Sequence, residues 1–506
     1  MMFEPLISIK RFSTAILLFA IVFCCFHVSY AAETDKTPQP ISAIQIPTTK
    51  ESGLMLDIAR HFYPLEVIKA FIDTLHDSGA TFLHLHFSDH ENYALESAIL
   101  NQRAESAIKN DQGIYINPHT DKPFLSYGQV KELVEYAKSK HIELIPELDS
   151  PNHMTAIFTL LANHQGEDYV RSLKSKGNDA EIDITNPDSI AFMQTLMTEV
   201  IELFGDSSRH FHIGGDEFGY SVENNHEFIR YANTLNTFLT QKGLITRMWN
   251  DGVIKATMEQ LDPAIEITYW SYDGDTQDPQ TAQERRQIRA SLPELIEKGF
   301  NVLNYNSYYL YINPKAGSLT SHDSNYAMRD ALINWELGIW DGQNQQNAVT
   351  DTDQILGAAF SIWGENAGSL SADSIQKYNT ELLETIVRKT NAFGNDAANR
   401  QLNALSADHF AALLQTTYID LTQAENDAFI QLEKYPQRVT LLQESYAENV
   451  TLWIQGANNH HLMLASHWRP SELFADKNNQ RFQLYEYATN KLWIQEHIPV
   501  QIEVSH

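Results

Sequence analysis

One motif recurs along the chain: a short apolar or β-branched run that ends in polar or aromatic residues, followed by a stretch with helical spacing. Eight such runs stand out, at 54–60, 82–89, 142–149, 211–217, 246–251, 265–273, 301–306 and 358–365. Between them, stretches such as 64–78, 127–140, 190–204 and 225–242 place apolar residues every three or four positions, the spacing of one helix face. Eight strand–helix units in succession predict an α/β chain closed as a (β/α)8 TIM barrel, here over 53–394.

The ends of these runs carry unusual cargo. They supply Asp57 with Arg60, Asp89, Glu147 with Asp149, Asp216 with Glu217, Trp249 with Asp251, Trp270 with Asp273, Asn306, and Trp363 with Glu365. In a barrel of this type the chemistry gathers at the C-terminal rim, where several strands deliver side chains to one place. Carboxylates are costly to desolvate, so their repeated placement after apolar runs calls for a reason. Mixed with tryptophan they suit a sugar-binding cleft: the ring faces stack on pyranose rings and the carboxylates accept hydroxyl hydrogens. Any single tryptophan is more often core, and it is the recurrence at corresponding positions that points to a site.

The most informative stretch runs from His210 through Phe218. Gly214 and Gly215 let the backbone bend at a strand end and present Asp216 and Glu217 to the cleft. Neighbouring strand residues point to opposite sides, so these two do not fit the paired acid and nucleophile of ordinary glycoside hydrolysis. A different division of labour follows. Glu217 is expected to act as general acid, aided by partial burial and the neighbouring Asp216 charge, while Asp216 contacts the substrate. The competing view has both carboxylates simply opening the next helix.

The run from His212 to Glu217 resembles the His-x-Gly-Gly-Asp-Glu signature of family 20 glycoside hydrolases, the β-N-acetylhexosaminidases. Long blocks at 53–63, 82–93, 143–153, 269–275 and 304–311 resemble, within that family, a member that degrades the biofilm polysaccharide poly-β-1,6-N-acetylglucosamine. The resemblance extends from about Gly53 to Asn391. It implies substrate-assisted catalysis, in which the substrate's own acetamido oxygen attacks the anomeric carbon. On this resemblance Glu217 protonates the leaving oxygen and then activates water, Asp216 holds the acetamido N–H, and Tyr311 hydrogen-bonds the acetamido oxygen. Arg60 and Glu365 match residues that bind sugar hydroxyls, and Trp249, Trp270 and Trp363 match pocket walls. Asp89, Asp149 and His153 match positions that touch the sugar or support those that do. Neither a metal nor an organic cofactor is implied. The alternatives are a non-catalytic sugar-binding barrel, which would lack the acid, and a hexosaminidase acting on β-1,4 chito-oligosaccharides.

His84 and His86, two apart on one strand, also resemble in outline the metal pair of amidohydrolase barrels, but later strand ends offer no matching set, and histidines packed in the strand are preferred. Asp273, Asp275 and Asp278 lack the glycine and terminal glutamate of a calcium loop, so a sugar-facing or solvated loop is expected.

With 36 basic against 65 acidic residues the formal charge is -29, which argues against nucleic-acid or anionic-membrane partners. A partly deacetylated glucosamine polymer is cationic, and the acidic rim with Asp278 suits it. Lys10 and Arg11, an apolar run from Phe12 to Val28, and the small residues Ser29 and Ala31 predict a secretory signal over 1–31, and with it a secreted or periplasmic enzyme free of the membrane after cleavage. Both cysteines, Cys24 and Cys25, fall inside it, so disulfides and thiolate sites are not expected in the mature chain. A proline-containing linker follows over 32–52. Beyond 394, the spacing of Phe410, Leu413, Leu414, Tyr418 and Leu421, and of Val439, Leu442, Tyr446 and Val450, predicts a helical appendage over 395–506.

Overall fold

The computed structural model describes residues 50–394 apart from 220, 275, 277, 316–330, 332–334 and 343–346, together with Leu402 and six strand segments between 428 and 495. The predicted signal and nearly all of the linker lie outside the described residues.

Eight parallel strands form the frame: β1 (Glu51–Asp57), β2 (Phe82–His86), β3 (Glu143–Ser150), β4 (His210–Gly214), β5 (Ile245–Trp249), β6 (Glu266–Tyr269), β7 (Val302–Asn304) and β8 (Ile355–Ile362). Each pairs with the next, and β8 returns to pair with β1, with Leu54 opposite both Leu83 and Phe360. The sheet is therefore closed, a (β/α)8 barrel. Every expected strand is present, and the polar residues that ended the sequence runs lie at or just past the strand ends.

Strand alternation sorts the side chains into two layers. Leu54 and Leu56 of β1, Leu83 and Leu85 of β2, and Phe211 and Ile213 of β4 join the core beneath the surrounding helices, with Ile68, Phe71 and Leu75 of α1 (Leu65–Ser78). Their neighbours point inward. Met55, Phe82, Ile145, Trp249, Leu303, Tyr305 and Ala359 fill the barrel interior. That interior is partly polar: His84, His86, Glu147 and His212 are all fully buried in it. Lower down, Arg247 donates to Glu266 at 2.8 Å and to Glu51 at 2.5 Å, closing the floor with an ion-pair plug.

Two contacts seal the ends of the chain's barrel segment. The Gly364 N–H donates to Asp57 Oδ2 at 3.0 Å across β8 and β1. Tyr311 and Ile312 form a short extra strand alongside the end of β8, with Tyr311 opposite Ser361. Among the described residues no helix is long and apolar enough to cross a membrane.

The predicted helical appendage is corrected by the segments described there. Ala428–Ile430, Arg438–Gln443, Val450–Gln455, His461–Lys477, Gln480–Tyr487 and Asn490–Gln495 are strands of one six-stranded sheet. Spacing at Val439, Leu442 and Val450 suggests a helix, but Val450, Leu452 and Ile454 alternate with Thr451, Trp453 and Gln455, a period of two in β-favouring residue types. Lys477 pairs with Gln480 and Tyr487 with Asn490, both in antiparallel register. Phe410, Leu413, Leu414, Tyr418, Leu421 and Tyr446 lie outside the described residues.

Candidate active site

After β4 the chain turns sharply. Gly214 and Gly215 have φ of 75° and 96°, and a Cβ at Gly214 would stand 1.8 Å from Asp149 Oδ1. Only glycine fits there. The Gly214 N–H donates to His212 Nδ1 at 3.1 Å and the Gly215 N–H to Asp149 at 3.3 Å, so the turn is anchored inside the barrel. Glu217 follows with φ 53°, a left-handed conformation that non-glycine residues seldom adopt. It turns the two carboxylates into different surroundings: the Asp216 side chain is 14% exposed and that of Glu217 is 65% exposed. The partial burial expected of Glu217 is thus not seen, because the turn lifts it out of the strand. Nor do the pair open a helix, since the next one, α2, is Asn225–Gln241.

His153 joins them. Its Nε2 is 3.6 Å from both Asp216 Oδ2 and Glu217 Oε2, and its Nδ1 is 3.0 Å from Asp89 Oδ1. Burial alone would lower this imidazole's pKa, but Asp216, Asp149 and Asp89 outweigh it and raise the value to about 10. Asp89 is held well below the usual carboxylate range, its burial overcome by His153 and His86. Burial first, and then the Asp216 charge, push Asp149 well upward, favouring its protonated form. The chain of contacts continues inward: His86 bridges Asp89 at 2.8 Å and Glu147 at 2.7 Å, and Glu147 also meets His84 at 3.0 Å and His212 at 3.1 Å. The ligand atoms of His84, Glu147 and His212 lie close enough together to hold a metal ion.

An aromatic wall faces the carboxylates. Trp270 stacks on Tyr311, with centroids 6.2 Å apart and planes 8° from parallel, and Trp363 stands 5.7 Å from Tyr311. Burial, then Asp251 and Asp216, hold the Tyr311 phenol well above its ordinary pKa, so it stays a hydrogen-bond donor. Trp249 differs from the expected wall residue. At 1% exposure, with its indole N–H on Glu147 at 2.7 Å, it lies under Trp363 as the pocket floor.

Arg60 adjoins the wall at Trp363. It pairs with Asp89 at 2.6 Å and Asp57 at 3.2 Å, and its guanidinium lies 5.3 Å over the Trp363 ring. Glu365 accepts from Asn313 Nδ2 at 2.6 Å, and burial pushes its carboxyl upward. Of the predicted site residues, Asp278 alone is engaged elsewhere. Its carboxylate caps α3 (Pro279–Ile288), accepting from the Thr281 backbone N–H at 3.0 Å, and its surface position leaves it exposed.

Several functional neighbours had no assigned role in the sequence. Asp57, Glu147 and Asp251 sit at recognised strand ends, yet only the fold reveals their partners. Asn313 carried no signal at all, lying just past the two-residue strand Tyr311–Ile312, which is too short to recognise.

Comparison with known proteins agrees with this geometry. The β-hexosaminidase subunit A1 of Dictyostelium discoideum is 25% identical over 344 residues, 63% of this chain, and the chain spans 56% of that relative's length. The β-hexosaminidase of Vibrio furnissii is 30% identical over 181 residues, 34% of this chain and 29% of its own. The crystal structure of dispersin B is 66% identical, with a TM-score of 0.67, over 68% of this chain and 100% of that chain. A pneumococcal exo-β-D-N-acetylglucosaminidase module, 19% identical and covering 72% of this chain and 97% of its own, shares the fold with a TM-score of 0.51. The pattern for the catalytic domain of glycosyl hydrolase family 20 matches residues 52–376, well over half the chain, and the protein belongs to that family.

Proposed function

We propose that this protein is a secreted or periplasmic β-N-acetylhexosaminidase that cleaves β-1,6-linked N-acetylglucosamine polymers of biofilms by substrate-assisted, retaining catalysis. The observation that carries the reading is the unlike setting of two adjacent carboxylates: Asp216 is largely enclosed and Glu217 largely open, with one imidazole nitrogen 3.6 Å from each. So unlike a setting suits a division of roles between the two, and the family 20 scheme supplies it, with the substrate's acetamido oxygen as the nucleophile.

In this reading Glu217 gives its proton to the departing glycosidic oxygen as the acetamido carbonyl oxygen bonds to C1, forming an oxazolinium ring. Asp216 accepts the acetamido N–H and stabilises the positive charge that grows there, while the Tyr311 hydroxyl donates to the acetamido oxygen. Water then attacks C1, Glu217 takes its proton, and the ring reopens with retained configuration. Trp270 and Trp363 wall the sugar, Trp249 floors it, and Arg60 with Glu365 binds its hydroxyls. Asp89 holds His153 charged beside the two carboxylates, and Asp149, kept toward its protonated form, braces the glycine turn under Asp216.

The linkage and biofilm role rest on similarity to dispersin B, and export rests on the residues of 1–31. The net charge of -29 suits a polymer made cationic by partial deacetylation. Product analysis on purified β-1,6 and β-1,4 N-acetylglucosamine oligomers tests this. Cleavage of the β-1,6 series at a kcat/KM at least about tenfold above the β-1,4 series is expected, a difference of about 1.4 kcal/mol in transition-state binding; the reverse preference makes it a chito-oligosaccharide enzyme, and no cleavage of either removes the catalytic reading.

A further inference from the structure

Asp251 follows the end of β5 and is 1% exposed, deeper than any carboxylate that meets the sugar in the mechanism above. Its two oxygens face donors from separate parts of the chain. Oδ2 accepts from the Trp270 indole N–H at 2.5 Å and Oδ1 accepts from Arg289 at 2.9 Å, and the backbone N–H of Glu217 lies near enough to the carboxylate to favour its charged form. Arg289 is itself buried, at the C-terminal end of α3, and the same helix reaches the loop after β6: Arg285 donates to the Asp273 and Gly274 carbonyls, and Arg286 pairs with Asp273 and Asp341.

These contacts fall on two strained or oriented elements. Glu217 sits at φ 53°, a conformation that costs of order 1–3 kcal/mol and persists only where its surroundings over-determine it. Trp270 lies within 8° of parallel to Tyr311, and its N–H is the one polar handle that sets the ring's rotation in that plane. One carboxylate therefore fixes the ring and lies against the turn that carries Glu217.

We infer that Asp251 is a positioning residue that fixes the general acid relative to the aromatic wall, with Arg289 as its buried counter-ion. This rests on the reading of Glu217 as the acid. Asp251 reaches the reaction through the Glu217 backbone and the Trp270 ring, touching neither substrate nor the transferred proton. Replacing the carboxylate by an amide of the same shape leaves one acceptor oxygen where two are needed and turns a donor toward the other group. The acid then drifts from the leaving oxygen, and the wall loses its lock.

The test compares two aryl N-acetyl-β-glucosaminides, one with a dinitrophenyl leaving group that departs without acid help and one with a poor, methylumbelliferyl-type leaving group. In Asp251→Asn, kcat for the poor leaving group is expected to fall about a hundredfold, as for a misplacement of about 1 Å, against no more than about threefold for the activated substrate, with KM raised severalfold on both. Trp270→Phe, which keeps a ring and removes the N–H, is expected to raise KM without widening the gap between the two substrates. A structural role alone gives the opposite signature: equal loss on both substrates, in proportion to the fraction folded, and unchanged KM. That result overturns the inference, as does wild-type behaviour of Asp251→Asn. Should Asp251→Asn not fold, Arg289→Lys carries the test, with the same split expected at about threefold; a folded Arg289→Lys with wild-type kcat ratio and KM overturns it. Wild-type protein that turns over neither substrate removes the hexosaminidase reading itself, whereas normal wild-type turnover with equal loss in the variants removes only the role given to Asp251.

Discussion

His153 presents one ring nitrogen to Asp89 at 3.0 Å and the other to Asp216 and Glu217 at 3.6 Å each, so a single buried imidazole connects an interior carboxylate to both carboxylates of the rim. Its pKa, raised to about 10, means that it carries a positive charge through the neutral range.

That shift has a sign that can be measured. A histidine whose folded pKa is raised from about 6.5 stabilises the fold fully below pH 6.5, and the contribution is lost as pH rises toward 10. The melting temperature of wild type should exceed that of His153→Gln at pH 6, and the gap should narrow steadily up to pH 10. A gap that stays constant over this range shows that the ring is not charged in the native state.

Glu217→Gln should keep the fold, since the side chain is largely exposed, and lower kcat/KM by about 10²–10⁴ on substrates with poor leaving groups. Steady-state kinetics on a methylumbelliferyl N-acetyl-β-glucosaminide, with thermal melting as a control, decide it. Unchanged turnover sinks the assignment of the acid.

Gly214→Ala is expected to be among the most damaging small substitutions in the chain. The left-handed backbone costs an alanine about 1–2 kcal/mol, and the added methyl meets Asp149 at 1.8 Å, forcing the turn away from the barrel. Lower thermal stability and loss of activity should appear together. Gly166→Ala provides a contrast, with φ 88° and nothing within 4 Å of the added methyl: it should cost stability and leave kcat intact.

Removing Arg60 leaves Asp57 buried without its cation and takes from Asp89 one of the cations around it. Arg60→Ala should therefore destabilise by about 3–5 kcal/mol, while Arg60→Lys keeps the charge but not the forked contact and should chiefly raise KM. Urea unfolding and KM on the same preparations separate the two effects.

Dispersin B is covered in full by 68% of this chain, so a barrel of this family stands without a segment like 395–506. A chain ending at residue 394 is expected to keep kcat/KM on small aryl substrates within about twofold, a change under about 0.5 kcal/mol. Failure to fold or a larger loss assigns the C-terminal sheet a part in the catalytic unit.

What was legible in the residues follows from how locally each feature is encoded. Strands and their polar ends were readable because alternation and run length are properties of a few neighbours, and Asp216 with Glu217 was readable because two glycines precede them. Glu147 was not, since its histidine partners arrive from β2 and β4, more than 60 residues away on either side. Trp249 was seen as a wall because sequence cannot distinguish an inward residue at the rim from one a layer deeper. Glu217 was expected to be half-buried because strand alternation was extended past Gly214, where a left-handed turn had already ended it. The C-terminal strands were missed because three or four apolar residues at helical spacing outweighed an alternation that ran through them.

The hydrogen bond from Gly364 to Asp57 spans 307 positions, and Arg60 and Trp363 meet across the same seam. One edge of the candidate site thus joins residues from the opposite extremes of the barrel segment. As the ribosome extends the chain, the seam between Arg60 and Trp363 cannot close before β8 is available, and loop-closure entropy defers these contacts to that point. Activity in this architecture is a property of the finished circle, and a nascent or clipped fragment ending before residue 363 should be catalytically silent however much of its sheet has formed.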